Sequence, residues 1–281
     1  MPAVSLVTIG DALLRGEIAP VPDGARLTLD RRFGGLPDMA HGGTILALFD
    51  ALAAHRGPRR IRGHYIRRVP LATDLTLTHA MTDGATRLVL ADTAGTTLVD
   101  GTVTAVSERA EARASSGGER HPLPVSSTCF VCGIENELGL RATLEFDDQR
   151  VRGQWQPREA FRAADGTLAP VALTALLDEG AFWLGALATG ESGMTTEIEV
   201  TLRQPAAYGA PITIVGDRAR VTPRAGDARY LDTELAAYTD DGTPVATGRI
   251  TFVSVRGASR RMTKWLARTN APETIERVFR T

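Results

Sequence analysis

The sequence predicts an α+β protein made of two copies of one unit, fused head to tail. Two observations lead to this prediction: the same series of strand, helix and turn patterns occurs twice, and the helix of each copy is apolar almost all round. A helix without a polar face has to be surrounded by other structure. Each copy is therefore expected to wrap its strands around its helix.

The helices are predicted from apolar runs that follow an alternating strand and a loop. In the first copy the strand is residues 26–30 and the helix is residues 44–54, and in the second copy they are residues 151–155 and 172–183. Each helix carries one carboxylate at the corresponding place, Asp50 or Asp178. These carboxylates align the two copies.

Two further signals follow each helix. A strand opens after Pro70 in the first copy and after Pro205 in the second, and a glycine hairpin turn follows at Gly95 or Gly242. The offset between the copies grows along the chain, which insertions in the second copy's loops explain because loops absorb length at low cost.

A segment of low apolar content between the copies predicts a linker. The predicted organisation is an N-terminal domain (1–107), a linker (108–124), a C-terminal domain (125–255) and a helical tail (256–281). In the tail Met262, Trp265 and Leu266 share one face of a short helix. That helix is expected to pack on a sheet or on a partner subunit.

Composition excludes several classes of function. The 32 basic and 33 acidic side chains nearly cancel, so no strong field attracts nucleic acid or an anionic membrane. The first residues lack the pattern of a secretory signal, and the most apolar stretch carries Asp178 and Glu179 at its middle, which is costly in lipid. We expect a cytoplasmic protein with no nucleic-acid and no membrane partner.

The only two cysteines are Cys129 and Cys132, a lone C-x-x-C. A structural zinc site needs four ligands, and the nearest histidine in the sequence is His121. The sequence therefore predicts no metal site and no cofactor.

Residues 39–50 resemble the signature of hotdog acyl-CoA thioesterases. That signature is H-G-G, here from His41, followed by an apolar helix with a carboxylate nine residues after the histidine, here Asp50. Residues 176–179 resemble its helical half. Residues 129–140 are similar to a loop common in bacterial members, except that Glu137 takes the place of the usual proline.

The resemblance covers roughly residues 20–106 and 125–255. It implies two tandem hotdog domains, each a curled antiparallel sheet wrapped around a central helix, which together form a pseudo-dimer. It also implies a hydrolase that acts on an acyl-CoA or acyl-carrier thioester.

The motif has a physical meaning of its own. A helix N-terminus offers unpaired N–H groups, and glycine lets a thioester carbonyl approach them. Such a site suits the oxyanion of a thioester under attack, and a carboxylate can attack or activate water. In the family the glycine and the carboxylate come from different subunits, so a fused pair has two possible sites.

Only one of the two sites keeps both parts. Alignment on the helix carboxylates puts Pro170 at the position of Gly42, and proline has no N–H to donate. The site with Asp50 and Pro170 is therefore predicted to be degenerate. The site with Gly42 and Asp178 is predicted to be catalytic, although a buried salt bridge is an alternative role for either aspartate.

Other candidates are transferred from the family one by one. Thr195 stands ten residues before Pro205, where family members place a hydroxyl that holds the attacking water, and Thr196 is beside it. The Asn or Gln often found six residues before the histidine is Gly35 here. The loss of that amide leaves the glycine N–H alone to hold the substrate carbonyl.

The remaining candidates are substrate contacts. His41 either fixes its loop or touches substrate together with Gly43, and Glu179 is expected to be an exposed or paired neighbour. Arg60 and Arg68 could receive CoA phosphates or form a solvated rim.

The leading functional hypothesis is hydrolysis of an acyl-CoA thioester at one composite site. The first alternative is a hydratase or dehydratase, which needs a histidine paired with a carboxylate, and no such sequence pattern is found. The second is a non-catalytic acyl-CoA binder or scaffold. A homodimer is expected from analogy with dimers of hotdog dimers and from the apolar face of the tail helix.

Overall fold

The computed structural model describes residues 19–21, 24–107 and 118–279. Residues 1–18, 22–23, 108–117 and 280–281 lie outside the described residues, so the domain boundaries and the linker stay a prediction. The described strands form one antiparallel sheet of 14 strands, and two long helices pack against it.

The first copy contributes six strands and one long helix, as the repeat predicts. In chain order these are β1 (Ala19–Val21), β2 (Gly24–Thr28), α1 (Gly42–Ala53), β3 (Arg59–Tyr65), β4 (Asp74–Thr82), β5 (Ala85–Asp92) and β6 (Thr97–Ala105).

The second copy and the tail contribute the other eight strands and three helices. In chain order these are β7 (His121–Pro122), β8 (Glu145–Phe146), β9 (Arg150–Trp155), α2 (Pro170–Thr189), β10 (Gly193–Leu202), β11 (Ile212–Asp217), β12 (Thr222–Arg224), β13 (Asp227–Thr239), β14 (Pro244–Ser254), α3 (Ser259–Leu266) and α4 (Pro272–Glu276). Short 3-10 turns at Arg31–Phe33, Glu159–Phe161 and Arg218–Arg220 complete the described elements.

The two copies join through one pair of strands. The sheet order is β1-β2-β4-β5-β6-β3-β10-β14-β13-β11-β9-β8-β7, with β12 paired to β13. At the centre β3 pairs antiparallel with β10, with Arg60 opposite Thr201 and His64 opposite Glu197. This junction satisfies two edge strands that separate units would leave exposed.

The sheet wraps the helices, as predicted. Helix α2 packs against β9, β10, β11, β13 and β14, and α1 packs against β3, β6 and β10. By length and composition α2 could cross a membrane, but 83% of its most apolar stretch is buried inside the protein. Its apolar surface is therefore covered by the protein's own sheet.

The two helices meet at Gly43. A Cβ placed there would lie 2.5 Å from Ala175 Cα, so only glycine allows this approach. The Thr174 hydroxyl donates a hydrogen bond of 2.8 Å to the Gly43 carbonyl across the contact. The start of α1 is thereby held against the middle of α2.

The tail packs on its own chain. Met262 and Leu266 of α3 are 6% and 1% exposed, and Phe279 lies with its ring 6.2 Å from that of Trp183. The apolar face that suggested a subunit contact is thus covered within the chain, which removes that basis for the homodimer. The homodimer remains a prediction from analogy.

Candidate active site

A cavity of about 540 Å³ lies where the two copies meet. The first turn of α1, the middle of α2, the first residues of β10 and the tail helix α3 all contribute to its wall. Its volume falls in the range typical of small-molecule sites.

Gly42 occupies the first position of α1, where a backbone N–H has no acceptor within the helix. Within the described part of the chain no acceptor is found for this N–H. A Cβ built on Gly42 would lie 2.8 Å from Asp178 Oδ2 and 3.2 Å from Thr195 Oγ1. The glycine of the first copy therefore faces the carboxylate and hydroxyl of the second.

Asp178 is buried on α2 and is held by the N-terminus of α1. Its Oδ2 accepts a hydrogen bond of 2.9 Å from Gly43 N–H and lies 3.0 Å from His41 Nδ1. Its Oδ1 is buried and has no hydrogen-bond partner among the described residues. Asp178 thus has one anchored oxygen and one oxygen without a partner.

His41 lies between two carboxylates. Its Nδ1 is 3.0 Å from Asp178 Oδ2, its Nε2 is 3.4 Å from Glu179 Oε2, and its side chain is 5% exposed. Burial alone would lower the pKa of His41, but the charges and hydrogen bonds of Asp178 and Glu179 outweigh burial and raise it from 6.5 to about 10. The imidazole is therefore a cation at neutral pH.

Gly43 N–H also lies 3.2 Å from His41 Nδ1, which in a neutral ring could accept this bond and cap the helix. A protonated Nδ1 can only donate. The shorter contact to Asp178 is then the hydrogen bond that Gly43 makes, and the ring fixes Asp178 rather than the helix end.

Glu179 is buried and fully engaged, so it is a paired neighbour rather than an exposed one. Its Oε1 accepts from the Trp183 indole N–H at 2.9 Å. Its Oε2 lies 3.4 Å from His41 Nε2 and 3.8 Å from Cys129 Sγ.

The C-x-x-C lies in the same cluster. Both cysteines are free, buried and part of the cavity wall. Hydrogen bonding to Cys129 and burial raise the pKa of the Cys132 thiol well above its usual value. Cys132 therefore stays protonated, and its thiol donates towards Ser126 Oγ at 3.8 Å.

Thr195 and Thr196 lie at a β-bulge. The pairing of β10 with β14 shifts between Thr195 and Glu197, which leaves Thr196 as the extra residue. Both threonines line the cavity. The bulge lies beside the point where Thr195 Oγ1 approaches Gly42.

The two candidate arginines have different positions. Arg68 is exposed and lines the cavity, as a contact to a substrate phosphate would require. Arg60 is the second residue of β3, with its Nε 3.6 Å from Glu199 Oε1, and it is not part of this wall.

The equivalent place in the other copy lacks both functional groups. Pro170 is the first residue of α2, where it offers no N–H. Asp50 forms a two-pronged ion pair with Arg59, whose Nη2 is 2.6 Å from Oδ2 and whose Nε contacts Oδ1. Asp50 thus forms a buried salt bridge of the kind weighed as its alternative role.

Gly35 packs against the ring of His41. A Cβ built on Gly35 would lie 3.1 Å from His41 Cα and 3.3 Å from its Cδ2. A side chain at this position would require His41 to shift by a few tenths of an ångström.

Three features of the site escaped the sequence analysis. The half-buried Tyr65 donates a hydrogen bond of 2.6 Å to the Gly42 carbonyl, and burial raises its pKa well above 10.0. The pairing of His41 with Asp178 joins residues far apart in the chain. Cys129 lies beside Glu179, and nothing in the spacing of these residues indicates such proximity.

No family model and no curated protein matches the sequence. Solved structures do match over most of the chain. The acyl-CoA thioesterase II TesB2 from Mycobacterium marinum is 12% identical, with a TM-score of 0.59, covering 88% of this chain and 98% of that one. The fold is a double hotdog. The predicted fold class and the resemblance to double-hotdog thioesterases are thereby confirmed at the level of fold.

Other matching structures include a second enzyme class. The tesB protein of Mycobacterium avium subsp. paratuberculosis is 14% identical, with a TM-score of 0.60, covering 88% of this chain and 99% of that one. The dehydratase domain of RzxB from Pseudomonas fluorescens is 16% identical, with a TM-score of 0.57, covering 84% and 96%. The fold is thus shared by thioesterases and dehydratases.

Proposed function

We propose that this protein hydrolyses an acyl-CoA thioester at one composite site between its two hotdog units. The observation that carries the proposal is the position of Gly42, whose N–H lacks a partner in the described chain while its Cα faces Asp178 and Thr195 across the repeat junction. An oxyanion donor and a carboxylate base are the two parts that acyl transfer to water requires.

In the proposed reaction the thioester carbonyl oxygen accepts the Gly42 N–H. Asp178 Oδ1 removes a proton from a water molecule held by Thr195, and the water oxygen bonds to the carbonyl carbon. The C–S bond then breaks, and the thiolate of CoA leaves and takes up the proton. The products are a free acid and CoA.

The surroundings support this assignment of roles to Asp178. Gly43 N–H and the His41 ring both hold Oδ2, so Oδ1 remains for water. The fixed position of the carboxylate means that little reorganisation is needed when the transition state forms.

The asymmetry of the two copies supports a single site. Pro170 and the ion pair of Asp50 with Arg59 leave the second arrangement without a donor and without a free base. From the composition of the chain we propose a cytoplasmic location. From the resemblance to hotdog thioesterases we propose an acyl-CoA or acyl-carrier substrate. Arg68, which lines the cavity, is the proposed contact to a substrate phosphate.

The test is release of free thiol from a panel of acyl-CoA thioesters of different chain length. We expect turnover with at least one member and an equal amount of free acid. If acyl-CoA binds without release of thiol, the binder hypothesis replaces the enzyme.

A dehydratase is the second candidate. That reaction needs a histidine paired with a carboxylate, and the sequence showed no such pattern. The structure pairs His41 of one copy with Asp178 of the other. Both ring nitrogens of His41 face carboxylates at 3.0 and 3.4 Å, which leaves neither nitrogen free to take a proton from substrate. Hydrolysis is therefore favoured. Formation of an enoyl thioester from a hydroxyacyl thioester, without release of thiol, would reverse that choice.

A further inference from the structure

The buried cluster beside the proposed base has more ligand-type atoms than hydrolysis uses. His41, Cys129 and Glu179 each direct one such atom to a common point, and these atoms lie within 4.8 Å of one another. All three residues are buried and line the cavity. The three positions are far apart in the chain, so the sequence gives no metal-site spacing.

We infer that His41, Cys129 and Glu179 form a binding site for a divalent transition metal, with zinc as the best match. Imidazole, thiolate and carboxylate are the three ligand types of protein zinc sites. Calcium and magnesium prefer oxygen ligands alone, so the sulfur and nitrogen atoms select against them.

The distances between ligand atoms fit a tetrahedral ion. Zinc bonds of about 2.1 Å to nitrogen and oxygen and about 2.3 Å to sulfur place an N and O pair about 3.4 Å apart and an S and O pair about 3.6 Å apart. The structure has 3.4 Å between His41 Nε2 and Glu179 Oε2 and 3.8 Å between Cys129 Sγ and Glu179 Oε2. All three ligand atoms lie within 4.8 Å of one another, so a zinc ion would need the nitrogen and sulfur atoms at most about 1 Å closer together.

Each ligand is oriented by a second group, as in established metal sites. His41 Nδ1 lies 3.0 Å from Asp178 Oδ2, which holds the proton on Nδ1 and directs Nε2 towards the common point, where the metal would take the place of the Nε2 proton. Glu179 Oε1 accepts from the Trp183 indole at 2.9 Å, which directs Oε2 to the same point. A buried ion pair between His41 and Glu179 alone would not require that a second group orient each of the two side chains.

The sulfur is oriented in the same way. Val131 N–H donates to Cys129 Sγ at 3.3 Å, and Sγ lies 3.8 Å from Glu179 Oε2. The Cys132 thiol lies 3.8 Å from Ser126 Oγ and is outside the group of three ligand atoms. Cys132 is therefore not a ligand in this arrangement.

The fourth position would face the cavity. Three protein ligands and one open position are typical of catalytic rather than structural zinc sites. The inference does not rest on the proposed hydrolysis, because the ligand geometry alone carries it.

Cobalt(II) is the probe, since a thiolate bound to it gives a charge-transfer absorption and a tetrahedral site gives strong visible bands. The full-length protein is stripped with a chelator, kept reduced and titrated with Co²⁺ without substrate. We expect saturation at one Co²⁺ per chain and loss of the bands when Zn²⁺ is added.

Matched variants identify the ligands. Cys129→Ser should abolish the charge-transfer band, whereas Cys132→Ser should keep it with an affinity reduced by no more than about 100-fold. Trp183→Phe, which removes the donor to Glu179 together with part of a buried ring, should weaken Zn²⁺ binding by about 10- to 100-fold. Circular dichroism of each variant excludes loss of fold as the cause.

Two outcomes overturn the inference. One is a normally folded, reduced protein that shows no charge-transfer band at saturating Co²⁺. The other is equal loss of the band in Cys132→Ser and Cys129→Ser, which would mean that the C-x-x-C pair binds the metal without His41 and Glu179. Since neither readout involves thioester turnover, failure here leaves the hydrolysis test unaffected.

Discussion

The same substitution at the two helix aspartates should have different effects on the catalytic rate. Asp178→Asn keeps an oxygen that can accept the Gly43 N–H at the observed 2.9 Å, so the start of α1 stays in place. The amide cannot take a proton from water, and loss of a general base costs about 10²- to 10⁴-fold in rate. We expect kcat to fall by that factor while KM changes little, because the group acts on water more than on bound substrate.

Asp50→Asn should reduce stability, as Asp178→Asn should through its buried contact with His41, but it should spare the rate. It removes the charge that both nitrogens of Arg59 contact, in a pair whose side chains are 6% and 16% exposed. Breaking a buried pair by removal of one partner costs about 3 to 5 kcal/mol, and the partial exposure of Arg59 places the expected loss at the lower end. The rate per folded molecule should be almost unchanged.

The assay measures kcat and KM by thiol release and the free energy of unfolding by urea titration, for both variants and the parent. The pair is its own control, because the chemical change is identical and the positions correspond in the repeat. If Asp50→Asn is inactive while Asp178→Asn remains active, the pairing of loop and carboxylate is reversed.

Three further predictions concern neighbouring groups. Thr195→Val should lower kcat by about tenfold to a hundredfold if the hydroxyl positions water, and an unchanged kcat would exclude that role. Tyr65→Phe removes the hydrogen bond to the Gly42 carbonyl and should reduce stability by about 1 kcal/mol, as measured by urea unfolding; no change would mean that this bond contributes nothing. In chelator-treated protein, His41 keeps its proton up to a pKa of about 10 in the folded state, whereas the unfolded chain loses it near 6.5. The free energy of unfolding should therefore fall by about 1.4 kcal/mol per pH unit as the pH rises through that window, and a flat profile would contradict the cationic His41.

The fold was predictable because its signals are local and doubled. The same pattern occurs in both copies. Each copy has an apolar helix with a carboxylate at the matching position. Each also has a glycine turn, at Gly95 or Gly242, where φ is 79° or 81°. The opposed Gly42 and Asp178 could also be predicted, since the fold places the helix start of one copy against the helix centre of the other.

The cluster around His41 could not be predicted in the same way. Its partners Cys129 and Glu179 come from a loop and a helix of the other copy, so no spacing in the chain encodes their proximity. The sequence left two positions open for the tail helix for a related reason: an apolar helix face indicates burial but does not identify what covers it. Arg59, the partner of Asp50, was not singled out because a basic cluster at residues 56–68 surrounds it.

The central claim is that thioester hydrolysis occurs at a single composite site per chain. The most direct test titrates thiol release with a non-hydrolysable thioether analogue of the best substrate, with the protein concentration well above the dissociation constant of the analogue. Activity should fall linearly and reach zero at one equivalent of analogue per chain. An end point at two equivalents would show that the half with Pro170 and Asp50 is also active, and thiol release that persists at saturation would place catalysis elsewhere.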